Sequence, residues 1–373
     1  MRSVLTFFLF LPISAAAGVP FPISENPGTE PAVAALSDSS AVVVYGVGDK
    51  VFFNIPFTGP ESPLAPSGPD TETAPDVATL AGSGFVAVWL ADDGVHSRPL
   101  ARIFGRDGVP VTGLLEIGGS GNVSDISVAA GPAQGFVVTW SKFWPPGQEN
   151  VFVRAFDAAG QPISAELQVS EDENAHHVHP KVAAAPDGSF TVAWGTFTPQ
   201  ISTSRARRHP GSAGSWNDSW LVAENAAYPT IAIADDGGVL LAWAANQGKQ
   251  EVWGRRPGEA AVMFGGSGAG PVGMARHRTG VAAVTWHEGG IGAPGRLRAR
   301  FSDSLGQPAG EVVSIAENVI GSGNPPGVAV SEAGRVVFVW EDQATGRIHG
   351  RWWDEPIVPV RKTGWGTLKS LWR

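Results

Sequence analysis

Pro180-Lys181-Val182-Ala183-Ala184-Ala185-Pro186-Asp187-Gly188-Ser189-Phe190-Thr191-Val192-Ala193-Trp194 is the stretch that decides the fold. A proline opens a short aliphatic run, a Pro-Asp-Gly-Ser turn follows, and a second run ends on tryptophan. This is the pattern of a β-hairpin, because Asp and Gly tolerate the positive φ of tight turns. The second run is apolar at nearly every position, which fits a strand covered on both faces.

The same pattern recurs along the chain. Apolar runs end on Tyr45, Trp89, Trp140, Trp194, Trp243, Trp286 and Trp340, at intervals of 43 to 54 residues. First strands open at Pro31, Pro75, Pro180 and Pro229. Third strands carry an arginine near an aromatic: Arg102 with Phe104, Arg154 with Phe156, Arg300 with Phe301, Arg351 with Trp352. Leu167-Gln168-Val169-Ser170 supplies a fourth strand. The first unit departs most, with Tyr45 for tryptophan and Phe53-Asn54 in place of the arginine pair, and the third strands of units four and five read as degenerate.

Multi-stranded repeats of about 40–50 residues indicate propeller blades. The seventh unit runs out after its third strand, near Trp353. Phe21-Pro22-Ile23-Ser24-Glu25-Asn26 matches Leu167-Gln168-Val169-Ser170-Glu171-Asp172 and supplies the missing fourth strand. The chain therefore reads as all-β, a seven-bladed β-propeller of four-stranded antiparallel blades closed by the N-terminal strand. Closure removes open sheet edges, whereas an open solenoid needs polar capping repeats, and none is visible.

The pattern Pro-x-Val-Ala-Ala, aliphatic strand ending in Trp, then Arg-Phe-Asp-x-x-Gly resembles a β-propeller repeat family of exported bacterial proteins. Arg154-Ala155-Phe156-Asp157-Ala158-Ala159-Gly160 carries the last element. The resemblance spans residues from about 19 to 356. It implies fold and export and no catalytic residues. The repeated Trp and Arg read as scaffold, with Trp between blades and Arg reaching along the blade to a carbonyl or acid.

Composition sets further bounds. Of 373 residues, 43% are hydrophobic and 16% charged, enough apolar surface for a core. The net charge of −9 gives no broad positive field, so nucleic acid is not an expected partner. Cysteine is absent, which removes disulfides, thiolate metal sites and a Cys nucleophile. Arg2, the apolar stretch Val4 to Ile13 and Ala15-Ala16-Ala17 form a signal peptide, residues 1–17. The propeller takes 18–356, and 357–373 form a linker and short basic tail. No transmembrane segment is expected in the mature chain. The expected location is secreted, periplasmic or at the cell surface, with the tail offered to a sorting or anchoring partner.

Function must sit in loops joining second to third strands and fourth strands to the next blade, which share one face. That face is assigned Asp92, Asp93, His96, His287, Glu288, Glu341 and Asp342 as ligand-binding candidates, with Glu149 and His176 nearby. In His176-His177-Val178-His179, strand alternation puts His177 and His179 on one side as a two-imidazole pair for a divalent metal. Otherwise no cofactor is expected. Glu288 and the Glu341-Asp342 pair are the carboxylates available for acid–base work.

Gly268 to Gly273 fits G-x-G-x-x-G but lacks a following helix. No G-x-S-x-G elbow exists. Sialidase-like turns are absent, and Tyr45 and Tyr228 occupy an anchor and a strand start. The expectation is a non-catalytic exported scaffold recognising a glycan, peptide or protein. The alternatives are a secreted hydrolase acting on sugars and a structural surface module anchored through its tail.

Overall fold

The computed structural model describes residues 18–353, except 81, 83, 120, 132–134, 145–146, 172–173, 212–214, 246–249, 267–268, 290–291 and 322, together with 355 and 357. Residues 1–17, expected to be a signal peptide, and nearly all of the tail lie outside the described residues. Within them the chain forms seven four-stranded antiparallel sheets arranged as a ring. No helix there is long and apolar enough to cross a membrane.

The inner strands are Thr29–Ala35, Thr71–Leu80, Asn122–Ala130, His176–Ala184, Ala226–Ile233, Ala269–Arg276 and Gly327–Val330, in blades 1 to 7. Each touches the next, and Gly327–Val330 meets Thr29–Ala35 to close the ring. Phe21–Pro27 pairs with Arg347–Trp353 as the outer strand of blade 7. The expected match holds in register. Pro22 pairs with His349 as Gln168 pairs with Phe152, and the Oγ of Ser24 and of Ser170 each accept a third-strand N–H, from Ile348 (2.8 Å) and Val151 (3.0 Å).

The core lies between blades. The described residues form seven apolar clusters, one per seam. Each is anchored by the aromatic that ends a second strand, and all seven anchors are buried. The anchor lies against the end of the preceding blade's outer strand. There the chain keeps a small residue: a Cβ on Gly118 would come within 2.6 Å of the Trp140 ring, and one on Gly265 within 2.2 Å of Trp286.

The repeated arginines tie blades together. Arg154 donates to the Ser164 carbonyl in its own blade and, through Nη1, to Ile117 O in the blade before (3.1 Å). Arg102 reaches Leu64 O and Arg351 reaches Ile315 O in the same way. The third strands that read as degenerate keep the device, with Arg207 donating to Asn217 O (2.7 Å) and Val169 O (3.0 Å), and Arg255 to Leu221 O (2.6 Å). A guanidinium suits this role because one rigid fork serves two carbonyls.

Candidate binding site at the mouth of the central channel

The inner strands do not run straight. In blades 1 to 6 two residues of the inner strand oppose one of the second strand: Glu30-Pro31, Ala74-Pro75, Ser124-Asp125, His179-Pro180, Tyr228-Pro229 and Gly270-Pro271. In blade 7, Pro325-Pro326 stands just before the inner strand. These are β-bulges, where proline is tolerated because no ladder N–H is required. In blades 1, 2, 4 and 5 the residue preceding the proline takes positive φ: Glu30 at 54°, Ala74 at 50°, His179 at 54° and Tyr228 at 51°. For non-glycine residues this conformation costs on the order of 1–2 kcal/mol each.

The bulges surround a cavity of about 250 Å³ at one end of the channel. Its polar lining includes Glu30, Asp76, Asp125, His179, Lys181 and Tyr228. That volume is the share of roughly eight waters. The bulges lie level with the hairpins joining second and third strands, as the pairs Thr71 with Asp92 and His176 with Phe197 show. The cavity therefore opens on the face singled out from the loops.

Carboxylates in this ring reach from one blade to the next. Glu30 Oε2 accepts the Ala74 N–H (3.0 Å), and Asp76 Oδ2 accepts the Val128 N–H (3.0 Å). Asp125 takes the His179 N–H on Oδ2 (3.1 Å), and its Oδ1 lies 3.2 Å from His179 Nδ1. Burial pushes the Asp125 carboxyl up, but the hydrogen bonds and charge of His179 outweigh it and hold the group below the usual carboxylate range. The His179 ring lies 4.6 Å from the Tyr228 ring, centroid to centroid. Asp125, His179 and Tyr228 thus form a connected group across blades 3, 4 and 5.

Residues assigned from sequence are placed differently. Asp92 and Asp93 are exposed, and their Oδ1 atoms cap N–H groups of their own turn, at Gly94, Val95 and His96. His287 is buried, with Nε2 2.9 Å from Val319 O. Glu288 pairs with Arg298 (2.9 Å), and Asp342 accepts from Thr345. Burial raises the Glu341 carboxyl. These residues belong to blades 2, 6 and 7, and none lines the central cavity.

His177 and His179 have separate partners, because the bulge interrupts the alternation that would align them. His177 is buried with Nδ1 3.1 Å from Thr196 Oγ1, while His179 turns to Asp125. Among the described residues no three His, Asp or Glu side chains come close enough to hold a metal ion. Sequence reasoning missed Glu30, Asp76, Asp125 and Lys181 and passed over Tyr228. The available signal was a changing residue before a recurring proline at each strand start.

A seven-bladed β-propeller with a channel-mouth cavity is what fold and geometry define. No family model matches the chain, and no curated protein does. Solved structures of similar fold include the BP39L lectin from Burkholderia pseudomallei, at 16% identity and TM-score 0.57, covering 89% of this chain and 99% of that one. An ulvan lyase, a polysaccharide lyase, is similar at 6% identity and TM-score 0.56, covering 88% and 94%. The Hadza microbial sialidase Hz136 follows at 10% identity and TM-score 0.55, covering 84% and 73%. At these identities the likeness concerns the fold.

Proposed function

We propose that this protein is an exported, non-catalytic propeller that binds a glycan at the mouth of its central channel. One observation carries the reading. Anchors and bridging arginines repeat around the ring, whereas the bulge residue differs in blades 1, 2, 4 and 5 (Glu30, Ala74, His179 and Tyr228) and there faces a cavity. Repetition serves the scaffold, and divergence at a strained, solvent-facing position marks a site.

The chemistry of the cavity suits a sugar. Tyr228 and His179 offer flat faces for a pyranose ring, and Glu30, Asp125 and Lys181 offer hydroxyl partners. The lectin and the glycan-active propellers of similar fold support a carbohydrate over a peptide or protein. Export rests on residues 1–17 alone, and the basic tail is proposed as the segment that meets a sorting or anchoring partner.

A glycan array probed with the mature chain, with aryl-glycoside turnover measured in parallel, tests the reading. Binding of an oligosaccharide without turnover is expected. Turnover that disappears in Glu288→Gln or Asp342→Asn would move the protein to the sugar hydrolases, and absence of any glycan signal would remove the proposal.

A further inference from the structure

A second cavity, of about 190 Å³, opens between blades 4 and 5 and is independent of the channel mouth. It is lined by Ala223 and Glu224 of blade 4 and by Trp243, Ala245, Gln250, Glu251 and Trp253 of blade 5. Its position follows from the repeat. Trp253 stands opposite the anchor Trp243. The residue opposite the anchor is Phe52, Leu100, Phe152, Arg205, Arg298 or His349 in the other blades, so a second tryptophan occurs there in blade 5 alone.

Glu224 has a counterpart too. Val169-Ser170-Glu171 follows the outer strand Leu167–Gln168 of blade 3 in the place that Val222-Ala223-Glu224 takes at the end of the outer strand Trp220–Glu224 of blade 4. Glu171 is paired with Arg205 of blade 4 (3.3 Å). At the next seam Trp253 holds the position of Arg205, and the Glu224 carboxylate has no partner among the described residues. Glu251 accepts the Trp253 indole N–H (3.2 Å), which fixes the ring, and Trp253 remains half-buried. Two backbone outliers flank the cleft: Asn225 beside Glu224 at φ 50°, and Gln250 beside Glu251 at φ 46°. Strain on both walls is what a pre-shaped site shows.

We propose that this seam is a second carbohydrate site, taking a neutral pyranose on the Trp253 ring with hydroxyls donated to Glu224 and Glu251. An indole face covers the C–H side of a sugar ring, and carboxylates accept strong hydrogen bonds from hydroxyls. Glu224 and Glu251 both line the cleft, so uronic, sulfated or sialic sugars meet two like charges. The cleft opens at the end of the blade where Ala245 pairs with Glu251, on the face that carries the channel mouth.

The test uses the mature chain labelled with 5-fluorotryptophan, whose 14 tryptophans give one fluorine signal each. The Trp253 signal is identified by its loss in Trp253→Phe. Cellotriose, maltotriose and mannotriose are titrated to millimolar excess, with trigalacturonic acid as the acidic comparator. The Trp253 signal is expected to move with at least one neutral trisaccharide and not with trigalacturonic acid. Glu224→Gln with Glu251→Gln is expected to weaken that response at least about tenfold. The response should persist in Tyr228→Asn, which separates this site from the channel mouth. No movement with any neutral trisaccharide, equal movement with trigalacturonic acid, or a response unchanged in the double variant would overturn it.

Discussion

The seam between blades 3 and 4 and the seam between blades 4 and 5 are built from the same parts and end differently. In the first, His177, Glu171 and Arg205 fill the space above the anchor Trp194. In the second, register places Ala226 where His177 stands and Trp253 where Arg205 stands, and a cleft remains. Arg207 crosses the first seam with two carbonyl bonds spanning both blades, whereas Arg255 makes a single carbonyl bond across the second. A repeat protein spends one set of interactions on holding neighbours together. Where those interactions are thinned, surface chemistry is released for something else.

Loss of an indole should separate anchor from cleft most strongly. Trp194→Ala removes a fully buried indole and is expected to cost about 3–5 kcal/mol, read as a fall in denaturant midpoint. Trp253→Ala, at a half-buried position, should cost less than half as much. Equal losses would erase the distinction between the two tryptophans.

Acid should loosen the first seam more than the second. Burial pushes the His177 imidazole down to about 4, with Arg205 adding to the effect. The folded chain therefore resists a proton that the unfolded chain accepts near pH 6.5. Stability is complete above about 6.5 and falls as pH drops toward 4, by up to about 1.4 kcal/mol per unit and about 3 kcal/mol in all. Denaturant titrations at pH 7 and 4.5 should show this loss, and His177→Gln should flatten it. An unchanged pH slope in that variant would assign the acid sensitivity elsewhere.

A smaller contrast concerns the bridging arginines. Arg207→Ala is expected to cost about 2 kcal/mol and Arg255→Ala about 1, by the same measurement. The smallest change is a conversion. Trp253→Arg should let the new guanidinium meet Glu224 as Arg205 meets Glu171. Melting should shift by no more than the equivalent of about 1 kcal/mol, because the pair is surface-exposed.

These contrasts also show what was legible in the sequence. The anchors Tyr45 to Trp340 were, because a two-faced strand ending in an aromatic is a local pattern. The closing strand was as well, since Ile23-Ser24 repeats Val169-Ser170 and takes the same hydrogen-bonding role. Arg207 and Arg255 were hidden because the neighbouring aromatic had changed to His209 or Pro257. The cleft could not be read locally, for Glu171 and Arg205 are 34 positions apart. His177 and His179 take separate partners because alternation holds only in a straight strand. The bulge at His179-Pro180 sends one imidazole into a seam and the other to the cavity, where it joins Asp125 and Tyr228.

A ligand site at the channel mouth is put to the test by isothermal titration of the oligosaccharide that gives the strongest array signal. Wild type is compared with Tyr228→Asn and His179→Asn, since asparagine tolerates the positive φ of both positions. A loss of affinity of about tenfold or more in both variants, with an unchanged melting temperature, is the predicted result. Affinity that survives in both variants would contradict a ligand site at the channel mouth.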